Sequence, residues 1–167
     1  GIALPPAFVA GGEARIVHGS MRHNRDNILS TTTDEELRLQ IAPPSSLLVV
    51  GHTHRPLIRS IDTTLVVNVG SVGMPFDGDI RACYGRMEWH AGAWRAEIVR
   101  VPYDRERTDY DYFTSGFLEQ SGPVARLVDR GGRSGLVVGL GGIGAGLALL
   151  LMSAGAVAPV VAGVLLL

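Results

Sequence analysis

Not one lysine occurs among the 167 residues, and Cys83 is the only cysteine. Arginine is therefore the sole strong base. With a formal net charge of −1 and no basic block, the chain lacks the charge pattern that tracks a phosphate backbone, and nucleic acid is not expected as a partner. A single thiol closes no internal disulfide, so a reducing, cytoplasmic setting is expected. Cys83 follows a Gly/Asp-rich turn in a strand-like run with no base beside it, which makes it a small core residue rather than a nucleophile. The chain opens on Gly1 instead of Met, without the basic and apolar segments of a secretory signal, and a segment upstream is expected.

Charge is also missing from one end. Every Asp, Glu and Arg lies between Glu13 and Arg133, and residues 134–167 carry none. That stretch exceeds the roughly 20 residues needed to span a bilayer, so a membrane segment is the default physical expectation. Gly135/Gly139 and Gly142/Gly146 have the small-xxx-small spacing of close helix contacts, and Pro159 would end or kink a span. Arg126, Arg130 and Arg133 just before it would keep the preceding part in the cytoplasm. The competing expectation is a poorly packed Gly/Ala-rich end. Gly139 to Gly144 matches a dinucleotide fingerprint, but no second strand or ribose-binding acid follows, and the match is compositional. The chain thus divides into 1–103, a helical and mostly polar extension over 104–133, and the apolar tail 134–167.

Within the first part, hydrophobic periodicity predicts an α/β fold. Residues 14–17, 47–50 and 65–69 are short apolar runs of strand length, the second suited to a strand covered on both faces. Residues 82–89 and 94–101 form two more, joined at His90-Ala91-Gly92-Ala93 like a hairpin. Thr33-Asp34-Glu35-Glu36 has the spacing of a capping box, with Thr33 capping and Glu36 reaching back, which predicts a helix over 34–41 stopped by Pro43-Pro44. Residues 104–130 read as exposed helix broken near Gly116 and at Gly122-Pro123.

The chemistry lies with the histidines. His52 and His54 come two apart immediately after an apolar strand, and in an extended segment such residues project from the same side. His18 ends another apolar run, so three imidazoles are expected to meet at one sheet edge, where α/β proteins place their sites. A three-histidine set favours Zn, Mn, Fe or Ni over Ca or Mg. No carboxylate is well placed to join them. His23, in a polar loop, and His90, in a turn, are expected to be solvated; Asp77 and Asp79 flank Gly78 in a turn rather than a calcium loop.

Val17-His18-Gly19-Ser20, Gly51-His52-Thr53-His54-Arg55-Pro56 and Asn68-Val69-Gly70-Ser71-Val72-Gly73-Met74-Pro75, followed by Asp77-Gly78-Asp79 and Ala82-Cys83-Tyr84, resemble the last three blocks of the calcineurin-like metallophosphoesterases. The nearest likeness is to the small bacterial and archaeal YfcE-type phosphodiesterase branch. The resemblance implies part of a β-sandwich flanked by helices, with about five of its strands present. It implies that His18 and His52 bind one divalent metal ion and His54 a second, the pair being Mn, Fe, Zn or Ni. It further implies that the loop of Asn68 and Ser71 shapes the substrate pocket. Arg55, through its guanidinium fork, is a candidate contact for phosphate. Val69 stands where proline is usual. The reaction implied is hydrolysis of phosphomono- or phosphodiesters by a water activated between two ions. The family's earlier blocks, an Asp-x-His pair, a bridging Asp and an Asn-His pair, have no counterpart between Gly1 and His18. The acid/base residue therefore has no candidate here, and the chain is expected to be a C-terminal portion, inactive alone. The alternative expectation is a non-catalytic interaction scaffold of the same fold.

Overall fold

The structure, a computed structural model, describes residues 7–9, 12–116, 120, 146–151 and 160–166. Its first sheet comprises β1 (Ala7–Val9), β2 (Gly12–Ile16), β3 (Leu47–Val50), β4 (Leu57–Ile61) and β5 (Thr64–Asn68), in the order β1-β2-β3-β5-β4. The three central strands are parallel, and the two edge strands run antiparallel to their neighbours. The second sheet contains β6 (Ala82–His90), β7 (Ala93–Val101), β8 (Gly146–Leu151) and β9 (Val160–Leu166), all antiparallel, in the order β7-β6-β9-β8. Helix α1 (Asp34–Ile41) connects β2 to β3, and α2 (Arg105–Thr114) follows β7.

The uninterrupted apolar run of β3 has a direct physical reason. Successive strand side chains point to opposite faces, so each face needs its own cover. Leu47 and Val49 pack with Ala14, Val67, Val69 and Met87, joined by Trp94, Ala96 and Ile98, in a layer between the two sheets. Leu48 and Val50 pack on the other face with Val66, Ile61 and Ile28, under Leu37 and Ile41 of α1. The sheets approach closely at Gly85, where an added Cβ would stand 2.8 Å from Val69 Cγ1. The expected α/β sandwich is thus the one observed.

Several local expectations are met and others need correcting. Ala91 and Gly92 take φ of 51° and 86°, the left-handed pair that closes a two-residue hairpin between β6 and β7. Thr33 caps α1 by accepting the Glu36 amide at 3.2 Å. Glu36 does not reach back; its carboxylate pairs with Arg22 at 2.7 Å, because a guanidinium is a stronger partner than a lone amide. Residues 7–9 and 57–61, which are not among the apolar runs picked out in the sequence, are also strands. β4 hides its alternation behind Arg59 and Ser60, and it is an edge strand that hydrogen-bonds only to β5. Beyond α2, Gly116 takes φ of 72°, consistent with the expected break.

Of the tail, residues 146–151 and 160–166 form β8 and β9, which pair with each other and, through β9, with β6. Among the described residues no helix is long and apolar enough to cross a membrane. The expected spanning helix is therefore not what these two segments form: their backbone groups find partners in a sheet instead of along a helix. The Gly139–Gly144 fingerprint, Gly122-Pro123 and the remainder of 117–167 other than residue 120 lie outside the described residues.

Leu48 is 1% exposed between sheet and helix, whereas Leu39 is 58% exposed. Leu48→Ala should lower unfolding free energy by about 2–5 kcal/mol. Leu39→Ala should change it by less than about 0.5 kcal/mol. Urea unfolding of both variants checks the pair, and equal losses would contradict the layer assignment.

Candidate metal centre

Because β2, β3 and β5 are parallel, their carboxyl ends reach the same sheet edge, and the loops that leave them are neighbours. Backbone bonds continue past the strands: Val17 donates to Val49 O at 3.0 Å, Gly51 to His18 O at 2.9 Å and Val69 to Val50 O at 3.0 Å. The Val69 bond requires an N–H that proline could not supply. His18 and His52 are thereby brought together. Their Nε2 and Nδ1 atoms stand 3.1 Å apart, with the rings edge to face.

The geometry of His52 and His54 differs from the extended segment expected. Both take positive φ, 62° and 55°, in a bend. For residues with a Cβ this conformation is costly, on the order of 1–3 kcal/mol each, and persists only where the surroundings impose it. Asn68 imposes it here. Fully buried, it donates from Nδ2 to Gly51 O at 2.8 Å and to Thr53 Oγ1 at 2.9 Å, while its Oδ1 accepts the Gly70 amide at 3.0 Å. Gly51 O also accepts the Thr53 amide at 2.7 Å. All of the Asn68 amide is taken up by the two loops, and this side chain braces the histidine turn.

Ser71 is likewise buried. Its hydroxyl accepts the Met74 amide at 3.1 Å, and its backbone meets Cys83 through the Cys83 amide and thiol sulfur. Cys83 Sγ in turn donates to Val69 O at 3.1 Å, and burial pushes the thiol pKa up, as suits the core residue expected. Gly70, at φ of 72°, lies directly against that sulfur, where a Cβ would collide. Asn68 and Ser71 are thus buried supports of the loops around the histidines. Asp77 pairs with Arg100, and Asp79 bonds to Arg81 at 2.6 Å, fixing the turn beyond the loop.

His54 is 3% exposed and stacks on Phe76 with ring centroids 4.8 Å apart. Its Nδ1 lies 2.8 Å from Met74 O. A carbonyl oxygen only accepts, so Nδ1 carries the proton and the lone pair is left on Nε2. A backbone carbonyl on the far nitrogen is a usual partner of a metal-binding imidazole. Sequence reasoning missed both Met74 and Phe76, since a backbone carbonyl leaves no trace in residue identity. Arg55 is exposed at the rim, its Nε donating to Phe76 O at 3.0 Å.

All three imidazoles have pKa values below the ordinary 6.5. Burial is the largest cause in each. At His18 the charge of His52 adds to it; at His52 a backbone hydrogen bond with Arg25 opposes it; at His54 the Met74 carbonyl opposes while His18 and His52 add. The charge of His52 bears on His18, and those of His18 and His52 bear on His54, so the three rings are electrostatic neighbours; neutrality is the state in which imidazole binds metal.

The donor chemistry fits the histidine share of a metal site. Two imidazole nitrogens each about 2.1 Å from one ion stand about 3.1 Å apart when the angle at the ion is about 95°. His18 Nε2 and His52 Nδ1 meet that spacing, and His54 Nε2 is a further lone pair. Among the described residues no group of three or more His, Cys, Asp or Glu side chains is placed to hold a metal ion. Asp26, whose charge reaches His52, is held by Ser20 at 2.7 Å and Arg22 at 2.8 Å.

The fold is an α/β sandwich with imidazoles at the carboxyl edge of its parallel strands. Residues 7–92 match the model of the calcineurin-like phosphoesterase superfamily domain, and the chain belongs to that superfamily. It is similar to the crystal structure of a metallophosphoesterase from Sphaerobacter thermophilus, at 26% identity and TM-score 0.58, over 80% of this chain and 60% of that one. Its fold is also similar to that of a hypothetical protein from Pyrococcus horikoshii OT3, at 20% identity and TM-score 0.56, over 70% of this chain and 46% of that one. The chain therefore spans less than two thirds of the length of either. No match was found among curated proteins.

Two outcomes test the site. Asn68→Ala should cost about 1–3 kcal/mol of stability by leaving buried groups unpaired. It should also weaken manganese binding roughly 10- to 100-fold by releasing the histidine turn; calorimetric titration reads this, and unchanged affinity would contradict the bracing role. The pH response has a definite sign. With folded histidine pKa values depressed below 6.5, the unfolded chain takes up protons that the folded chain refuses. Stability of the metal-free protein is then fully present above about pH 6.5 and lost as pH falls through the folded values. Urea midpoints measured stepwise from neutral to mildly acidic pH should fall in that window, and a flat profile would contradict it.

Proposed function

We propose that the chain carries the histidine part of a metal-dependent phosphoesterase that hydrolyses phosphate mono- or diesters, with His18 and His52 holding one divalent ion and His54 a second. The single observation that carries this is the meeting of ring nitrogens at one sheet edge: His18 Nε2 lies 3.1 Å from His52 Nδ1, and His54 has its proton turned away to Met74 O. Mn, Fe, Zn and Ni all suit such ligands. Divalent ions supply a nucleophile at neutral pH and neutralise charge on the reacting phosphoryl group.

The chain's own residues prepare that chemistry. Burial keeps the three imidazoles neutral, so an ion displaces no proton from them near pH 7. Asn68 fixes the turn that aims His52 and His54, and Phe76 covers one face of His54. Arg55, anchored through Nε to Phe76 O, supplies a guanidinium at the rim for phosphate oxygens. Two dications close together repel unless carboxylates lie between them. We assign those carboxylates, and the acid for the leaving group, to a further segment of the protein, since none stands within the histidine group among the described residues.

Manganese-loaded protein expressed from the intact gene should bind transition metal and hydrolyse bis(p-nitrophenyl) phosphate or p-nitrophenyl phosphate. His52→Ala should abolish binding at one metal position and lower turnover at least about 100-fold. Metal content and release of p-nitrophenol are the measurements. A protein with no bound metal and no turnover of either ester would overturn the reading in favour of a non-catalytic scaffold of the same fold.

A further inference from the structure

The loop that follows His18 is folded around one side chain. Ser20 is 5% exposed, and its hydroxyl accepts the backbone amides of Arg22 and His23, each at 3.0 Å, while donating to Asp26 at 2.7 Å. The Ser20 amide donates to His23 O at 2.9 Å. Gly19, next to His18, lies against this turn so tightly that a Cβ there would stand 2.7 Å from the backbone of Asn24 and from His23 O. The loop is therefore a rigid knuckle beside the first ligand, and the charges on His23, Arg25 and Asp26 all act on the His52 imidazole.

His23 is exposed on that knuckle, and its tautomer is decided by chemistry. The Arg25 amide donates to His23 Nδ1 at 3.0 Å. A backbone N–H only donates, so Nδ1 holds the lone pair and the neutral ring carries its proton on Nε2. His54 has the reverse arrangement, with its proton on Nδ1 and its lone pair on Nε2. The two histidines are thus preset for opposite tasks: His54 offers an outer lone pair, and His23 an outer N–H. An outer N–H suits an oxygen of an anionic substrate and does not suit a cation.

We propose that His23 is a substrate-contacting residue, whose Nε2–H, preset by the Arg25 amide, donates a hydrogen bond to an oxygen of the phosphate ester held beside His18 and His52. The proposal rests on the phosphoesterase reading. The contact needs no proton transfer; it positions the ester and draws charge from one of its oxygens. Removing a hydrogen-bond donor to a charged oxygen lowers binding or turnover by roughly 10- to 100-fold.

The experiment uses the manganese-loaded full-length protein with His23→Ala and His23→Gln, Gln being able to place an N–H near the position of Nε2. Inorganic phosphate is the binding probe, titrated calorimetrically, and bis(p-nitrophenyl) phosphate is the turnover probe. His23→Ala should weaken phosphate binding and kcat/KM roughly 10- to 100-fold at unchanged metal content, with His23→Gln recovering part of the loss. Nitrogen-15 spectra of labelled histidine should show the His23 proton on Nε2 without any turnover being required. Phosphate affinity and kcat/KM of His23→Ala within about twofold of an active parent would overturn the proposal and leave the phosphoesterase reading standing. A parent protein that neither binds manganese nor turns over the ester would overturn both.

Discussion

The carboxamide of Asn68 is the constraint on which the site depends. It ends β5 and reaches across to the turn after β3, so one buried side chain joins two of the three loops at the sheet edge. Without it, His52 and His54 would relax out of the left-handed conformation in which both are held. The strain is local, and the cover that sustains it is not. Val66 and Val67, which precede Asn68, are packed on opposite faces of the first sheet, and their burial fixes where the carboxamide stands.

The layered packing also accounts for how the site is kept dry on one side and open on the other. His54 lies inward, stacked on Phe76 and hydrogen-bonded to the loop that the second sheet anchors through Cys83 and Arg100. His18 and His52 are half-buried, and His23 is exposed beyond them. The imidazoles thus run from interior to surface, and their protonation follows: burial holds the inner rings neutral, while backbone partners choose which nitrogen of His54 and of His23 keeps its proton. Ligation needs a lone pair facing outward and recognition of an anion needs an N–H facing outward, and both arise from the same residue type.

Much of this was legible in the residues. The apolar runs 47–50 and 65–69 announced strands covered on both faces, and the spacing of His18, His52 and His54 after such runs pointed to one edge. Thr33 signalled the start of α1. Other features were not legible for identifiable reasons. β4 is an edge strand whose alternation is interrupted by polar side chains. Glu36 was offered two partners, and only the folded chain brings Arg22 within reach. The resemblance placed Asn68 and Ser71 in a loop beside the site, but showed neither their burial nor the hydrogen bonds to Gly51 O and the Met74 amide, which only the folded chain brings together.

What the sequence determined by itself is the class of fold and which histidines follow the parallel strands, because hydrophobic period and residue type are local properties. It determined neither the bend that aims His52 and His54 nor the tautomers of His54 and His23. Those depend on Met74 O, the Arg25 amide and the Asn68 carboxamide. A backbone carbonyl or amide is the same at every position of a chain, so its chemical effect is decided only when folding puts it against a particular ring.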